Sequence, residues 1–274
     1  MHRNMTLPDK TTSPFSYHHR PRGRKQIEDL RSRIQALERP TWKREDNLFS
    51  LGIPEIDRLL PSGGFLPAAL YEIFSDRPTD GGAATGFCIA LMASFLGSRR
   101  DRILWCTNDS ATDTGELYPF GLVQQGLDVS LLTVVKTTRD TDVLWTMEEG
   151  LRSTAFTVVL GEVKKISMTS SRRLQLATEE NGVLTILLRP STETPGLSAA
   201  IQRWRIKAAP SYPKGFANSL NEPGAACWNT KLFRSRGGTP GTWLMEWRDE
   251  TSCLSLATSV CDRPGQPYNT RLTR

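Results

Sequence analysis

Apolar runs alternate with amphipathic segments along residues 48–189, and this pattern predicts strands separated by helices. Five short apolar runs predict strands, and the segments between them carry apolar residues at helical spacing. Strands that are apolar on both faces are typical of a parallel sheet covered by helices on each side, so we predict an α/β fold. The predicted strands span 69–74, 102–107, 131–135, 156–160 and 183–189, and the predicted helices span 83–96, 117–125, 142–152 and 170–180.

Beyond residue 189 the pattern contains strands only. Segments 201–208, 228–234 and 242–247 are separated by loops rich in Pro and Gly. This arrangement predicts antiparallel C-terminal strands added to the edge of the parallel sheet. Residues 249–274 are rich in Ser, Thr and Pro with little periodicity, and we expect a flexible tail there.

The N-terminal region predicts a flexible arm followed by one amphipathic helix. Residues 1–23 are polar and contain three prolines, whereas apolar residues in 24–39 recur three and four positions apart until Pro40. Two heptads are too few for a stable isolated coiled coil. We therefore expect the apolar stripe to pack on its own domain, or to dock on a partner or a neighbouring copy. The stripe consists of Ile27, Leu30, Ile34 and Leu37.

These patterns predict three parts: a basic arm with its helix (1–46), a core (47–248) and the tail (249–274). At 274 residues and 38% hydrophobic, the chain can bury one full core. The longest uniformly apolar helix candidate, 87–96, is too short to cross a bilayer, and no signal peptide opens the sequence. We expect a cytoplasmic protein with no membrane partner.

A glycine-rich segment follows the first predicted strand. Residues 81–88, GGAATGFC, match the spacing of the phosphate-binding P-loop, GxxxxGK(S/T), at its glycines. A working P-loop uses the lysine for the phosphates and the hydroxyl for Mg²⁺, but Phe87 and Cys88 stand at those positions. The segment is therefore a degenerate nucleotide-binding loop, or a turn that fits the spacing by chance. Its candidate residues are Gly81, Gly82 and Gly86.

Other groups that catalysis would need are missing from the expected positions. An NTPase of this kind needs an acidic residue at the end of the fourth strand, where Gly161 stands and Glu162 follows one place later. All three histidines lie in the N-terminal arm, which argues against a histidine triad or a histidine–zinc site. The five cysteines form no CxxC pair. We predict no catalytic residue, no metal and no cofactor, and hence a protein that is not an enzyme.

Positive charge is concentrated toward both ends of the chain. Residues 1–45 carry 11 Lys/Arg and 5 Asp/Glu, residues 46–188 carry 12 and 18, and residues 189–248 carry 9 and 3. Within 201–208 three cations alternate with Trp204, so they are predicted to share one strand face. Such a face can bind single-stranded DNA or an acidic partner, and ordinary solvated charge is the alternative. The candidate contacts are Lys164, Lys165, Arg203, Arg205, Lys207, Arg234 and Arg236.

Several separated blocks carry a family resemblance. They are GGFLP (63–67), YEIF (71–74), LWC (104–106), LWTMEE (144–149), SRRLQLA (171–177), RWR (203–205), RSRGG (234–238) and WLMEW (243–247). Through them residues 48–247 resemble the RecA-like core. More narrowly, they resemble the ImuA family, accessory proteins of SOS-induced mutagenic translesion synthesis.

The resemblance implies a RecA-type fold and a non-catalytic accessory role in error-prone DNA repair. It also implies three partners: an inactive protein related to Y-family polymerases, an error-prone DnaE-type polymerase, and RecA itself. Two alternatives remain open at this point. One is a divergent NTPase of the RecA-like class, and the other is a cell-division inhibitor built on a reduced RecA-like fold.

Overall fold

The computed structural model describes residues 48–97, 101–108, 115–191, 195–211, 224–249 and 251–257. The predicted arm and amphipathic helix, with the stripe Ile27, Leu30, Ile34 and Leu37, lie outside the described residues. The end of the predicted tail, 258–274, lies outside them as well.

The described strands form one nine-stranded sheet. The strands are β1 (Leu70–Ser75), β2 (Ile103–Asn108), β3 (Leu132–Thr137), β4 (Val158–Glu162), β5 (Leu184–Arg189), β6 (Gln202–Ala209), β7 (Cys227–Ser235), β8 (Gly241–Arg248) and β9 (Cys253–Leu256). Their order across the sheet is β3-β2-β4-β5-β1-β6-β7-β8-β9. Neighbouring strands from β3 to β6 in this order are parallel, and those from β6 to β9 are antiparallel.

Helices cover both faces of the parallel part of the sheet. They are α1 (Pro54–Asp57), α2 (Gly81–Leu96), α3 (Pro119–Gln124), α4 (Asp140–Arg152) and α5 (Met168–Asn181). Alternate residues of β1 serve the two layers: Tyr71 and Ile73 join the core that contains α2, and Leu70 joins the core under α4 and α5. α2 is almost wholly apolar. It is therefore buried against the sheet, where it contacts β1, β5, β6 and β9.

The ends of α5 follow local sequence signals. The Ser167 hydroxyl accepts a hydrogen bond from the Ser170 backbone N–H at 3.0 Å and caps the N-terminus. Gly182 ends the helix with a φ of 71°, a left-handed conformation that glycine adopts without a steric cost. The dipeptide Asn181-Gly182 is therefore sufficient to predict where this helix stops.

The predicted α/β fold is confirmed: the sheet is mostly parallel, helices flank it, and antiparallel strands follow at the C-terminal end. The strand order agrees with a RecA-like assignment. In this order β4 and β5 lie between β2 and β1, and β1 leads into the glycine-bearing helix α2. Two details of the prediction were wrong. β6 pairs in parallel with β1 rather than antiparallel, and residues 253–256 of the predicted tail form β9 on the edge of β8.

One segment of the described residues, Pro78–Leu96, is long and apolar enough to cross a membrane by length and composition alone. Of its most apolar window, 61% is buried inside the protein, as in the central helix of a soluble domain. The sequence predicted a shorter apolar stretch, because the small residues at the start of α2 were not counted with it. A single helix of this kind is weak evidence for a membrane span.

Candidate functional site

The glycine-rich segment is helical rather than a loop. α2 begins at Gly81, so Gly81, Gly82 and Gly86 all lie within it, two residues earlier than the sequence predicted for the helix start. The Thr85 hydroxyl donates to the Gly81 carbonyl at 3.2 Å, a contact made across one helical turn. A P-loop needs an irregular backbone whose N–H groups surround a phosphate, whereas here the regular helix already begins at the first glycine.

A buried carboxylate lies directly before the start of α2. Asp80, the residue before the helix, is buried, and its Oδ1 accepts from the Ala208 backbone N–H at 3.0 Å. Its Oδ2 accepts from the Arg77 backbone N–H at 3.1 Å. The N-terminal end of a helix favours a negative charge, and Asp80 supplies one internally. A phosphate at the same place would be repelled by it.

The position of the P-loop lysine is a core position in this fold. Phe87 is 1% exposed, and its ring lies 5.8 Å from that of Trp228 and 6.3 Å from that of Trp204. Cys88 is fully buried, and burial raises the pKa of its thiol, with a further contribution from the nearby Glu162 carboxylate. Neither side chain faces a site where a ligand could reach it.

Because Gly86 lies inside a helix, its replacement by alanine has a predictable effect on stability. A Cβ at this position would meet its nearest atom, Trp228 Cζ2, at an ordinary 3.6 Å. Because glycine inside a helix costs stability relative to alanine, Gly86→Ala is expected to raise the free energy of unfolding by about 0.5–1 kcal/mol. Urea denaturation of the full chain measures this change.

Gly161→Ala is the matched control, since a Cβ there would overlap Met147 Sδ. Overpacking of that kind is expected to lower stability by about 1–3 kcal/mol. A Gly86→Ala protein that is clearly less stable than the wild type would contradict the helical assignment.

A cleft of about 610 Å³ opens at the carboxyl ends of β2 and β4, beside the first turns of α2. Ligands of open α/β sheets commonly bind at this edge. Thr85 and Gly86 line the cleft from α2, and Glu162 lines it from β4. The segment 115–125, which contains α3, forms a further wall, together with Val134 and Lys136 of β3.

Glu162 is the principal charged group inside this cleft. It is the last residue of β4 and is 7% exposed, so the strand runs further than the sequence predicted. Its Oε1 accepts from the indole N–H of Trp105 at 2.5 Å. Burial raises the pKa of the Glu162 carboxyl, and the hydrogen bonds from Trp105 and Thr107 oppose that shift only in part. Among the described residues, no group of three or more His, Cys, Asp and Glu side chains could hold a metal ion.

The predicted basic strand lies on the other side of β1 from this cleft, and one of its cations is buried. Arg203 is 3% exposed, and its Nε donates to Glu72 Oε2 at 2.7 Å. Arg189 approaches the same carboxylate, with Nη1 3.6 Å from Oε1. Phe74 packs under both guanidinium groups. Arg203 is therefore not available to a nucleic acid or a partner surface, which corrects the sequence interpretation.

The remaining cations of β6 share a solvent-facing surface with β7. Arg205 and Lys207 alternate along β6, and Lys231 lies directly opposite Arg205 in the antiparallel ladder. On the same face Asn229 and Thr242 are exposed, so no described helix covers this part of the sheet. We refer to Arg205, Lys207 and Lys231 as the basic strand face.

Phe233 adds an aromatic ring at the margin of this face. The ladder slips between Arg203 and Trp204, which leaves Phe233 as the extra residue of a β-bulge. Its partly exposed ring lies 5.5 Å from the Arg203 guanidinium and 5.7 Å from that of Arg205. The bulge thus places an aromatic side chain among cations.

Comparison with known sequences gives a family. No known protein-family model matches the chain. Over 210 residues, however, the chain is 29% identical to proteins named ImuA from two strains of Caulobacter vibrioides, an alignment that covers 73% of this chain and 83% of each relative. This similarity supports membership of the ImuA family. The family resemblance found from the sequence blocks is thereby confirmed.

The other predicted contacts of this chain lie at two further places. Lys164 and Lys165 are exposed in the turn after β4, where both backbone N–H groups donate to Asp140 Oδ2. Arg234 is exposed opposite Arg203, and Arg236 follows the end of β7. The structure brings Arg205 and Lys207 together, whereas Lys164 and Lys165 belong to a different edge of the sheet.

Lys231 and Phe233 were missed by the sequence interpretation. Both lie in segment 228–234, which the sequence correctly predicts as a strand. Their placement depends on which residue of β7 stands opposite Arg205. The cation–aromatic alternation in KLFR, residues 231–234, is the one local signal that could have suggested them.

Proposed function

We propose that this chain is a non-catalytic, cytoplasmic accessory protein of SOS-type mutagenic translesion synthesis that contacts single-stranded DNA through the basic strand face. The ImuA-family relationship supports the biological setting. The helical glycine segment, with Asp80 and Phe87 in place of a phosphate site, supports a role without nucleotide hydrolysis.

The observation that carries the DNA contact is the close placement of like charges on an uncovered strand pair. Arg205 and Lys231 are direct cross-strand neighbours, and such like-charge pairs are unfavourable in an isolated sheet. Asp76 lies 3.9 Å from Arg205 at the margin of this pair. A polyanion laid along the face would relieve the repulsion, and Phe233 offers a ring beside which a base can stack.

Partners follow from the family resemblance. We propose that the chain works with an inactive protein related to Y-family polymerases and with an error-prone DnaE-type polymerase. RecA is the third proposed partner. In this scheme the basic strand face holds the template strand while other surfaces of the chain hold the proteins.

Lys231→Ala tests the DNA contact. Loss of one phosphate contact is expected to weaken binding of a fluorescent single-stranded oligonucleotide about five- to tenfold at low ionic strength and to reduce the slope of log K against log salt by about 0.7. Fluorescence anisotropy over a salt series measures both quantities.

Lys136→Ala is the matched control, because Lys136 is an exposed strand lysine on β3, at the opposite end of the sheet. It is expected to leave DNA binding unchanged. No binding by the wild-type chain at low salt, or equal losses in the two variants, would reject the basic strand face as the DNA site.

A divergent NTPase is the second candidate, favoured by Glu162 at the end of β4 beside a cleft. Phosphate release by the full chain, alone and mixed with the proposed partners, separates the two functions. Release above background that Glu162→Gln abolishes would favour the NTPase. No feature of the described residues favours a cell-division inhibitor.

A further inference from the structure

An exposed apolar patch lies beside the Glu162 cleft: Tyr118 and Val134 line the cleft, and Phe120 contacts the Tyr118 ring. Tyr118 is 66% exposed and Phe120 is 70% exposed, and their rings lie 5.6 Å apart. Val134 on β3, a lining residue of the cleft, is exposed as well. Large apolar side chains that gather at the rim of a cavity commonly mark a site where another molecule binds.

The polar atoms inside the cleft are mostly hydrogen-bond acceptors. Glu162 contributes a carboxylate, and the buried Oε1 of Gln125 has no hydrogen-bond partner. The Thr85 hydroxyl already donates to the Gly81 carbonyl. Lys136 is the one cation of the described lining, and its ammonium group is paired with the Glu116 carboxylate. The described lining therefore carries a net negative charge, disfavours phosphate and suits a ligand rich in N–H donors.

We propose that this cleft receives an arginine or lysine side chain of a partner protein, with the Glu162 carboxylate as its counter-ion. The partner's neighbouring apolar residues then cover Tyr118 and Phe120. A guanidinium group presents five N–H donors, which matches a carboxylate, an unpaired amide oxygen and an aromatic rim.

A polypeptide fits these features better than a small free cation does. A small cation would satisfy Glu162 but would leave both aromatic rings in water. Protein interfaces commonly combine aromatic anchors with a desolvated arginine. The site combines an acidic interior with an apolar rim. Its occupant therefore needs a positive charge and apolar residues beside that charge.

The state of Glu162 agrees with such a role. Its carboxyl is buried beside an indole N–H and has no cation of the described chain against it. Burial of an unpaired carboxylate costs stability, and the raised pKa of Glu162 reflects that cost. A cation from a partner would offset the cost only in the complex, which couples binding to this one residue.

The first test uses small probes and the full-length chain. The indole N–H resonance of Trp105 reports on the Glu162 carboxyl, because the two groups are hydrogen-bonded. N-ethylguanidinium is expected to shift this resonance saturably, whereas the neutral isostere N-ethylurea at equal ionic strength is not. Glu162→Gln keeps the shape of the side chain and removes its charge, so it is expected to weaken N-ethylguanidinium binding at least about tenfold. Equal shifts with both probes, or equal binding by the variant, would overturn the proposal.

The second test asks whether the occupant is a protein. A capped tripeptide with arginine between two leucines is compared with the same peptide carrying neutral citrulline. The arginine peptide is expected to bind at least about tenfold more tightly, and Phe120→Ala is expected to weaken the peptide but not N-ethylguanidinium. Trp145→Ala removes an exposed aromatic ring from α4, on the other face of the sheet, and is expected to change neither. Peptides no tighter than N-ethylguanidinium would identify a small-cation site and overturn the proposed protein partner.

Discussion

Arg203→Ala is expected to lower the free energy of unfolding by about 3–5 kcal/mol, the cost of leaving a buried charge without its partner. Arg203 is almost fully buried and donates to Glu72, which is itself inaccessible to solvent. Arg189 would remain, but at 3.6 Å it makes the weaker of the two contacts with that carboxylate. Chemical denaturation of purified protein measures the loss.

Arg234→Ala is the matched control, since Arg234 stands opposite Arg203 in the ladder but is exposed. Its effect is expected to stay within about 0.5 kcal/mol. A small loss for Arg203→Ala, similar to that of Arg234→Ala, would show that Arg203 is solvated in solution. The distinction also matters for binding experiments, because weaker DNA binding by an Arg203 variant would reflect unfolding rather than a lost phosphate contact.

Phe87→Lys, which restores the residue of a P-loop consensus, is expected to destabilise the protein by about 3–5 kcal/mol and to create no ATP binding. The ring of Phe87 fills the space between Trp204 and Trp228, so a lysine there loses the aromatic packing and buries an ammonium group. Thermal denaturation with and without Mg²⁺–ATP measures both parts of the prediction, because a bound ligand would raise the melting temperature.

Phe87→Leu separates lost packing from buried charge. It keeps the site apolar and is expected to cost about 1–2 kcal/mol. A Phe87→Lys protein of wild-type stability whose melting temperature rises with ATP would mean that α2 begins with an adaptable loop, and the non-catalytic assignment would then fail.

The elements that the sequence predicts well are those decided by neighbouring residues. The apolar runs that form β2, β4 and β5 are buried on both faces. Their apolar pattern therefore predicts both the strand and its burial between two layers of helices. The start of α2 was placed two residues late, because Asp80 is held by the backbone of Ala208, 128 residues away.

The errors about function have the same origin. The alternation Arg203-Trp204-Arg205 correctly predicts opposite strand faces, but it cannot reveal that one arginine meets Glu72 across 131 residues. The parallel pairing of β6 with β1 depends on the path of the chain between β5 and β6, which strand propensity does not encode. Long-range partners, rather than local preferences, decide which cations reach the surface.

Asp80 has a consequence for regulation. In a nucleotide-dependent switch, the γ-phosphate orders nearby segments and its departure releases them. Here the Asp80 carboxylate joins the start of α2 to β6, so under the proposed non-catalytic role we expect this region to keep one arrangement whatever the nucleotide level of the cell. A chain with the proposed role would have no nucleotide-hydrolysis step to time its release from a complex. Its occupancy would be set by mass action, through how much of it and of its partners is synthesised and how soon each is degraded.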